Sequence, residues 1–480
     1  MRVVVLVVGD VGRSPRICYH ALSFAQHGCA VDLVGYNSTA PAVSHASIRL
    51  RSLRPPPAFF WSLPSSVGFL ARFLWVLVVL SCTLLFRVGF PEVLVVQNPP
   101  GLPALLVCWL CARLKRARLL IDWHNFTSTV LREQLLAANH HSPLLATDTA
   151  GARPEKEGQQ LGSWKAKFVS GARRWERFFG RKADLNLCVT HSMRDYLARV
   201  DGIRAVTLYD RPPQWKFPSF STEDRHEFCL RMARDKLYTP FWPEGQAAAI
   251  VDACNGLANE TRFTSREEGG SRRRKARLRS DRPALLISST SWTVDEDFSL
   301  LLNALRRYDA LCGHEDGGAQ TAEQRLPSVV AVVTGKGPLK EFYMEQIAKL
   351  QLRRVEFLTP WLEHDDYPRM LACADLGLSF HTSTSGLDLP MKAVDMFGCR
   401  LPVLALHFDC VHELVREGEN GHTFRNEQEL CQRLISLLRG FPDNCQALTQ
   451  LKQSLRRDPL VSWEDNWSST VWPLLRPLEE

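Results

Sequence analysis

Residues Ser383–Leu406 read STSGLDLPMKAVDMFGCRLPVLAL. A loop of small residues runs into Pro390, and a short helix then carries Lys392 and Asp395. Gly398 stops the helix, and Pro402-Val-Leu-Ala-Leu406 reads as a buried strand. Residues three apart share a helix face, so an ammonium and a carboxylate are expected to project together. The preceding loop would offer backbone N–H groups at a helix N-terminus, where phosphates bind. That combination suits a nucleotide sugar, with the carboxylate on sugar hydroxyls and the lysine against the diphosphate. In isolation the stretch reads equally well as a surface helix with one weak ion pair. The surrounding chain separates the two readings.

Working outward, loop, helix and strand alternate through most of the 480 residues, enough chain for two or three domains. Arg2–Val8 is a continuous apolar run, the pattern of a strand buried on both faces. It ends in Gly9-Asp-Val-Gly-Arg-Ser-Pro-Arg16, followed by a helix to His27 and a strand Ala30–Gly35. Strand, glycine turn and helix start open a doubly wound domain. The turn is not GxGxxG, so the dinucleotide fingerprint is absent. Further strands are expected at Val93–Val96 and Leu119–Asp122, the latter leading into Trp123-His124-Asn125. Asn139–Ser163 reads as a loop insertion and Trp164–Arg181 as a basic amphipathic helix. A second α/β unit begins at Pro283 and runs through the strand Val329–Thr334 into Gly335-Lys-Gly-Pro338. The fold class expected is therefore α/β, two doubly wound Rossmann-like domains facing across a cleft. The divisions expected are 1–213, a variable linker 214–282, a nucleotide-binding domain 283–450, and a C-terminal helix within 451–480 that packs back on the first domain. Trp463 and Trp467 share one face of that helix.

Composition is that of a globular protein, 45% hydrophobic and 23% charged, with net charge +8. The excess is local: Ser271–Ser280 holds six basic side chains and no acid, first of all a solvated linker and next an anionic-membrane contact. No nucleic-acid motif accompanies it, and no nucleic-acid partner is expected. Fourteen scattered cysteines favour a reducing compartment, and Cys108-x-x-Cys111 lies in an apolar run without a partner pair. The chain opens directly into a strand at Arg2, so no secretory leader is expected.

Ala58–Phe90 raises the membrane question. Phe73–Phe86 is uncharged between Arg72 and Arg87, yet short for a span. Strands of one sheet are expected on both sides of it, and a single crossing would divide that sheet. A helix pair lying on or dipping into one leaflet is the reading adopted, with a buried core helix as the alternative.

GDVGRSPR, VVQNPPGLP, IDWHN, WERFFGRKADLNLCVT, LYDRPP, SSTSWTVDEDF, TGKGP, FLTPW and STSGLDLPMKAVDMFGCRLPV occur in this order. In combination they closely resemble the chitobiosyldiphosphodolichol beta-mannosyltransferases. The resemblance implies a GT-B glycosyltransferase, GDP-mannose as donor and dolichol-diphosphate-linked chitobiose as acceptor. It also implies an endoplasmic reticulum membrane location with the domains facing the cytosol, and a complex with other dolichol-pathway mannosyltransferases. Relatives usually carry a hydrophobic helix ahead of the first strand, so membrane attachment here is expected to rest on Ala58–Phe90 and basic patches. A transferase of the same fold with another sugar nucleotide or lipid acceptor, and a non-catalytic scaffold, stay open.

An α-linked donor and a β-linked product imply inversion in one displacement, which needs a base and positive charge for the departing diphosphate. Lys392 and the loop of Lys336 and Gly337 are assigned to the leaving group, with the backbone of Gly386, Leu387 and Asp388. Gly12 and Arg13 would approach the phosphates from the first domain, Ser289 lies at a strand end of the second, and Asp395 would bind the ribose. Asp10, Asp122 and His124 are the candidate bases, all at strand ends; the alternative for Asp122–Asn125 is capping of the next helix. Val294-Asp-Glu-Asp297 imitates a DxD motif but sits at a helix start, where acids favour the dipole. No metal ligand and no obligatory cofactor is assigned; a divalent cation held by the diphosphate itself stays open.

Overall fold

The computed structural model describes residues 1–137, 162–217, 219–233, 260–266, 275–293, 296–315 and 324–475. It divides into two compact units. The first comprises Met1–Asp210, Ser383–Leu389 and Trp463–Glu480, the second Arg211–Thr382 and Pro390–Ser462. The stretch read first therefore changes unit between Leu389 and Pro390, and the segment read as linker belongs to the second unit.

In the first unit, strands β1 (Arg2–Asp10), β2 (Ala30–Tyr36), β3 (Ile48–Ser52), β4 (Val93–Asn98), β5 (Arg118–Trp123), β6 (Leu185–Cys188) and β7 (Val206–Thr207) form one sheet. Its order is β3-β2-β1-β4-β5-β6-β7, all parallel. β1 is buried between β2 and β4, with Val3 opposite Val31 on one side and Val93 on the other. Central strands need apolar residues on both faces, which is why these runs were legible. β3 was not anticipated: IRLRS sits at the sheet edge, half-buried, and its charges break the apolar run. Helices α1 (Pro15–Gln26), α2 (Ser65–Cys82), α3 (Ala104–Lys115), α4 (Thr127–Ala137), α5 (Ser163–Lys182) and α6 (His191–Tyr196) complete the unit's main chain. The loop insertion read at Asn139–Ser163 lies outside the described residues as far as 161.

The segment read as a helix pair is one helix. Ala58–Trp61 forms a single 3₁₀ turn, cut off by Pro57 before it and Pro64 after it. From Val67 to Arg87 the chain is helical for 21 residues at mean hydropathy 2.3, ending in a π turn over Thr83–Arg87. Only 17% of its most apolar window is buried, so the core-helix alternative does not hold. Leu80 and Leu84 enter the core, while Val67, Leu70, Leu74 and Val78 face outward. At 1.5 Å per residue the helix is about 31 Å long, close to a hydrocarbon thickness. β1 nevertheless hydrogen-bonds both β2 before the helix and β4 after it. Both ends of α2 return to one sheet.

In the second unit, α7 (Thr222–Ala233) and a hairpin of β8 (Thr264–Arg266) and β9 (Ala276–Leu278) come from the segment read as linker. Residues 271–274 of the basic run lie outside the described residues. A parallel sheet follows: β10 (Ala284–Ser289), β11 (Val329–Thr334), β12 (Val355–Leu358), β13 (Leu376–Ser379), β14 (Val403–Leu406) and β15 (Gly421–Phe424). Its order is β12-β11-β10-β13-β14-β15. Strand order reverses between β10 and β13, and ligands of open α/β sheets bind at such a switch point, beyond the strands' carboxyl ends. Helices α8 (Ser299–Glu315), α9 (Lys340–Lys349), α10 (Asp366–Cys373), α11 (Met391–Gly398), α12 (Glu427–Leu438) and α13 (Gln446–Arg457) accompany the sheet. Its core joins residues such as Leu286, Ala331, Leu378 and Leu404 to Leu430 and Leu434 of α12.

The tail returns to the first unit through α14 (Trp463–Thr470). Trp463 Nε1 donates to Ser23 Oγ and Trp467 Nε1 to His20 Nδ1, both at 3.0 Å. Both indoles are buried, on the one helix face read from their spacing.

Candidate functional site

In the first unit the candidate bases separate by environment. Asp122, next to the last residue of β5, has no exposed surface. Arg16, from the first turn of α1, donates Nε and Nη2 to its two oxygens at 2.7 and 2.8 Å. Arg16 Nη1 reaches Asp210 Oδ1 at 2.7 Å and the carbonyl of Leu208 at 3.0 Å. Burial alone would raise the Asp122 carboxyl, but the Arg16 charge and its hydrogen bonds hold it well below the usual range. His20 Nε2 lies 3.3 Å from the same carboxylate. Since an indole N–H only donates, His20 Nδ1 accepts from Trp467 and the ring proton sits on Nε2. Burial holds His20 below its ordinary pKa and hence neutral. Asp122 thus anchors a buried charge network and does not cap the next helix.

Asp10 accepts the backbone N–H groups of Ser38 and Thr39 at 3.2 and 3.1 Å, with Arg13 Nε 3.6 Å away. Burial opposes ionisation there, yet the hydrogen bonds from Thr39 and Ser38 bring its pKa below the ordinary value. Gly12 lies under the same loop: a Cβ on it would stand 2.6 Å from the carbonyl oxygens of Thr39 and Ala40. Arg13 is largely exposed. His124 follows β5 with its ring a quarter exposed, Nε2 3.7 Å from Asp210 Oδ2. Its backbone N–H donates to the Asn98 carbonyl at 2.9 Å, which fixes the residue at the sheet's carboxyl edge. Of the three, His124 has the most exposed side chain, and it alone is an imidazole set beside a carboxylate with room for solvent on its ring.

Gly386, Leu387 and Asp388 belong to this unit. Asp388 Oδ1 accepts from Asn125 Nδ2 at 3.0 Å, from Ser385 Oγ at 3.3 Å and from Ser383 Oγ. Thr190 Oγ1 donates to the Leu387 carbonyl at 2.7 Å. Gly386 adopts φ +72°, a left-handed turn conformation that glycine permits. Asp388 therefore holds the loop's shape. Asn125 was read only as part of the strand-end segment Trp123–Asn125, and Thr190, which also holds the loop, was not singled out from sequence; nothing local marks a residue as the partner of a loop about 200 or more positions away. Capping of α4 also comes from a distance: Glu176 on α5 accepts from the N–H groups of Thr127 and Ser128 and from Asn98 Nδ2. Asn125 Oδ1 adds a bond from Phe126 N at 2.7 Å.

In the second unit, α11 carries Lys392 in its first turn and Asp395 one turn on. Both lie on the less buried face of the helix, as expected of residues three apart, but each takes a different partner. Lys392 Nζ pairs with Glu296 Oε1. The other Glu296 oxygen accepts from Thr290 Oγ1 at 2.7 Å and Ser291 N at 2.6 Å, at the switch-point end of β10. Asp395 takes Lys216 Nζ on both oxygens, at 2.9 and 3.0 Å. Glu296 was read as a helix-start acid; Asp297 fills that role, accepting from Ser299 N at 3.1 Å. Ser289, the last residue of β10, hydrogen-bonds Tyr367 through Oγ and Oη at 3.1 Å. Lys336, just beyond β11, holds Nζ 4.0 Å over the ring of Trp361, which follows β12 and is half exposed. Gly337 has no room for a side chain: a Cβ would stand 1.8 Å from the Ser291 carbonyl oxygen. Ser289, Lys336, Gly337 and Lys392 are thus gathered at the carboxyl ends of β10, β11 and the strand–helix loop before α11. Two ammonium groups there suit a diphosphate, and the Asp395 carboxylate suits hydroxyl donors. Among the described residues, no group of three or more His, Cys, Asp or Glu side chains is placed to hold a metal ion.

Two domain families match the chain: Glycosyl transferase 4-like domain over residues 12–208 and Glycosyl transferases group 1 over residues 300–440. The mouse chitobiosyldiphosphodolichol beta-mannosyltransferase is 40% identical over 484 residues, covering 98% of this chain and 88% of its own length. An Arabidopsis thaliana protein named UDP-glycosyltransferase TURAN is 38% identical over 487 residues, covering 99% of this chain and 97% of its own. Among solved structures, Anabaena HepE in complex with UDP-glucose superposes with TM-score 0.54 at 15% identity, covering 99% of each chain. That likeness establishes the two-Rossmann GT-B architecture.

Proposed function

The chain belongs to the chitobiosyldiphosphodolichol beta-mannosyltransferase family, and from that premise we propose that it transfers mannose from GDP-mannose, with inversion, in β1,4 linkage to chitobiosyl-diphosphodolichol. The product is the first mannosylated lipid-linked precursor for protein N-glycosylation. The observation that carries the reading is the placement of Lys392 and Lys336 at the carboxyl edge of a doubly wound sheet, in a chain similar to the mouse enzyme along its whole length.

The acceptor hydroxyl attacks the anomeric carbon as the bond to the β-phosphate oxygen breaks, so one proton must leave and one diphosphate must accumulate charge. His124 takes the proton at Nε2, and Asp210, 3.7 Å away, stabilises the imidazolium that forms. Lys392, with the N–H groups of α11, and Lys336 meet the diphosphate charge. Lys392 must then exchange Glu296 for phosphate, and Lys336 must leave the Trp361 ring. Asp395 accepts from the ribose hydroxyls. A divalent ion, if one takes part, is brought by the diphosphate.

The outward face of α2 rests in the cytosolic leaflet of the endoplasmic reticulum, where the lipid acceptor resides. Val67, Leu70, Leu74 and Val78 supply apolar contact, and Arg72, stacked 4.1 Å from the Trp61 ring, marks the headgroup level. Return of both helix ends to one sheet favours lying in a leaflet over crossing it.

Incubation of the full chain with GDP-mannose and phytanyl-linked chitobiosyl diphosphate tests the assignment. One added β-linked hexose is expected. Transfer from UDP-glucose or UDP-GlcNAc in preference to GDP-mannose, or no transfer from any of them, refutes it.

A further inference from the structure

We propose that Lys216, on the short turn Gln214–Lys216 between the two sheets' sequences, is a positioning residue for the sugar-nucleotide ribose, acting through Asp395. The inference rests on the assignment of Asp395 to the ribose and adds the residue that makes that carboxylate fit for it.

Three observations carry it. Lys216 Nζ binds both Asp395 oxygens at 2.9 and 3.0 Å, and the two side chains are only 12% and 14% exposed. A carboxylate gripped on both oxygens is fixed in rotation, while each oxygen keeps lone pairs for further donors. Second, the next residue, Phe217, seats on α11 itself: a Cβ on Gly398, three residues beyond Asp395, would stand 2.6 Å from Phe217 Cδ2 and 2.8 Å from Cγ. Any side chain at position 398 would lift the turn off the helix. Third, Lys216 Nζ lies 5.1 Å from the Phe217 ring and 5.9 Å from the Tyr367 ring, whose hydroxyl bonds Ser289. Aromatic faces hold the ammonium where the carboxylate needs it.

The chemistry follows from charge. An acid on the helix that receives a diphosphate repels its ligand unless neutralised. Lys216 cancels that charge and leaves Asp395 ionised and aimed, an acceptor for the 2′- and 3′-hydroxyls. A polar turn 179 residues away in sequence thereby becomes part of the donor site.

The test compares GDP-mannose with its 2′-deoxyribose analogue in wild-type, D395N, K216M, K216Q and K216R proteins, with thermal unfolding of each. Wild type should prefer the ribo-donor by about 10- to 100-fold in kcat/KM, the loss expected for hydrogen bonds to a charged acceptor. D395N should lose that preference. K216M and K216Q should raise donor KM more than they lower kcat and lose most of the preference, while K216R restores it. If D395N loses the preference and both neutral Lys216 variants keep it, Lys216 serves only structure and the proposal is overturned. If D395N itself keeps the preference, the ribose assignment falls first and the proposal with it. K216Q retains a donor of similar reach and serves where K216M fails to fold.

Discussion

Replacing Asp122 by Asn, and in a separate protein His124 by Gln, should separate two strand-end residues that lie two positions apart and look equally catalytic in the sequence. Asp122 is fully buried and bound through both oxygens to Arg16, which also holds Asp210. The amide keeps the shape but removes one of the two negative charges that compensate a buried guanidinium. Breaking a buried pair this way costs about 3–5 kcal/mol. For a unit of some 200 residues each kcal/mol shifts the midpoint by roughly 2–4 °C, so D122N should unfold roughly 6–20 °C below wild type. pH adds a second signature. The folded carboxyl is held below its unfolded value, so its contribution is complete above about pH 4 and is lost as pH falls toward the folded pKa. D122N should lack that component of the acid limb. H124Q changes a part-exposed ring and should leave the midpoint within about 2 °C of wild type, while turnover falls about 10²–10⁴-fold. Differential scanning calorimetry of all three proteins, with mannosyl transfer assayed well below the midpoint of D122N, decides the matter. D122N with a wild-type midpoint and abolished turnover would refute the reasoning and make Asp122 the base.

Gly337→Ala places a Cβ 1.8 Å from a backbone oxygen, so the Lys336 loop must move; donor KM should rise and stability fall by about 1–3 kcal/mol, read by kinetics and thermal unfolding. Trp467→Phe removes the N–H that His20 accepts and should cost about 1 kcal/mol, whereas Trp467→Ala should cost about 3–5 kcal/mol; near-equal losses in denaturant titration would show that the hydrogen bond carries the contact rather than the packing. Leu74→Asp with Val78→Asp on the outward face of α2 should weaken flotation with phosphatidylcholine–phosphatidylserine vesicles by more than about 10-fold without changing the melting midpoint, and unchanged flotation would remove that face from the membrane contact.

The apolar runs that fill β1, β4, β10 and β11 were legible because a parallel strand covered on both faces admits little else. The edge strands β3 and β15 were missed for the complementary reason: IRLRS and GHTF mix polar residues into strands open along one side. The helix pair expected over Ala58–Phe90 gave way to one turn and one helix because proline bounds the turn at Pro57 and Pro64. Glu296 shows the limit of local pattern. A helix-start acid has the same sequence signature whether it caps its own helix or turns to a lysine 96 positions away, as this one does.

By itself the sequence determined the buried central strands and most of the helices between them, which turns need glycine, and, through the order of its motifs, the family. Periodicity and steric demand act over a few residues, so a few residues reveal them. Pairing of charges over long separations was decided only by the tertiary structure. Lys392 and Asp395, three apart on one helix, go to Glu296 and Lys216, 96 and 179 residues away. The stretch that began the reading even changes compact unit between Leu389 and Pro390. A buried charge takes whichever opposite charge the fold brings within about 3 Å, and that distance is written in no local pattern.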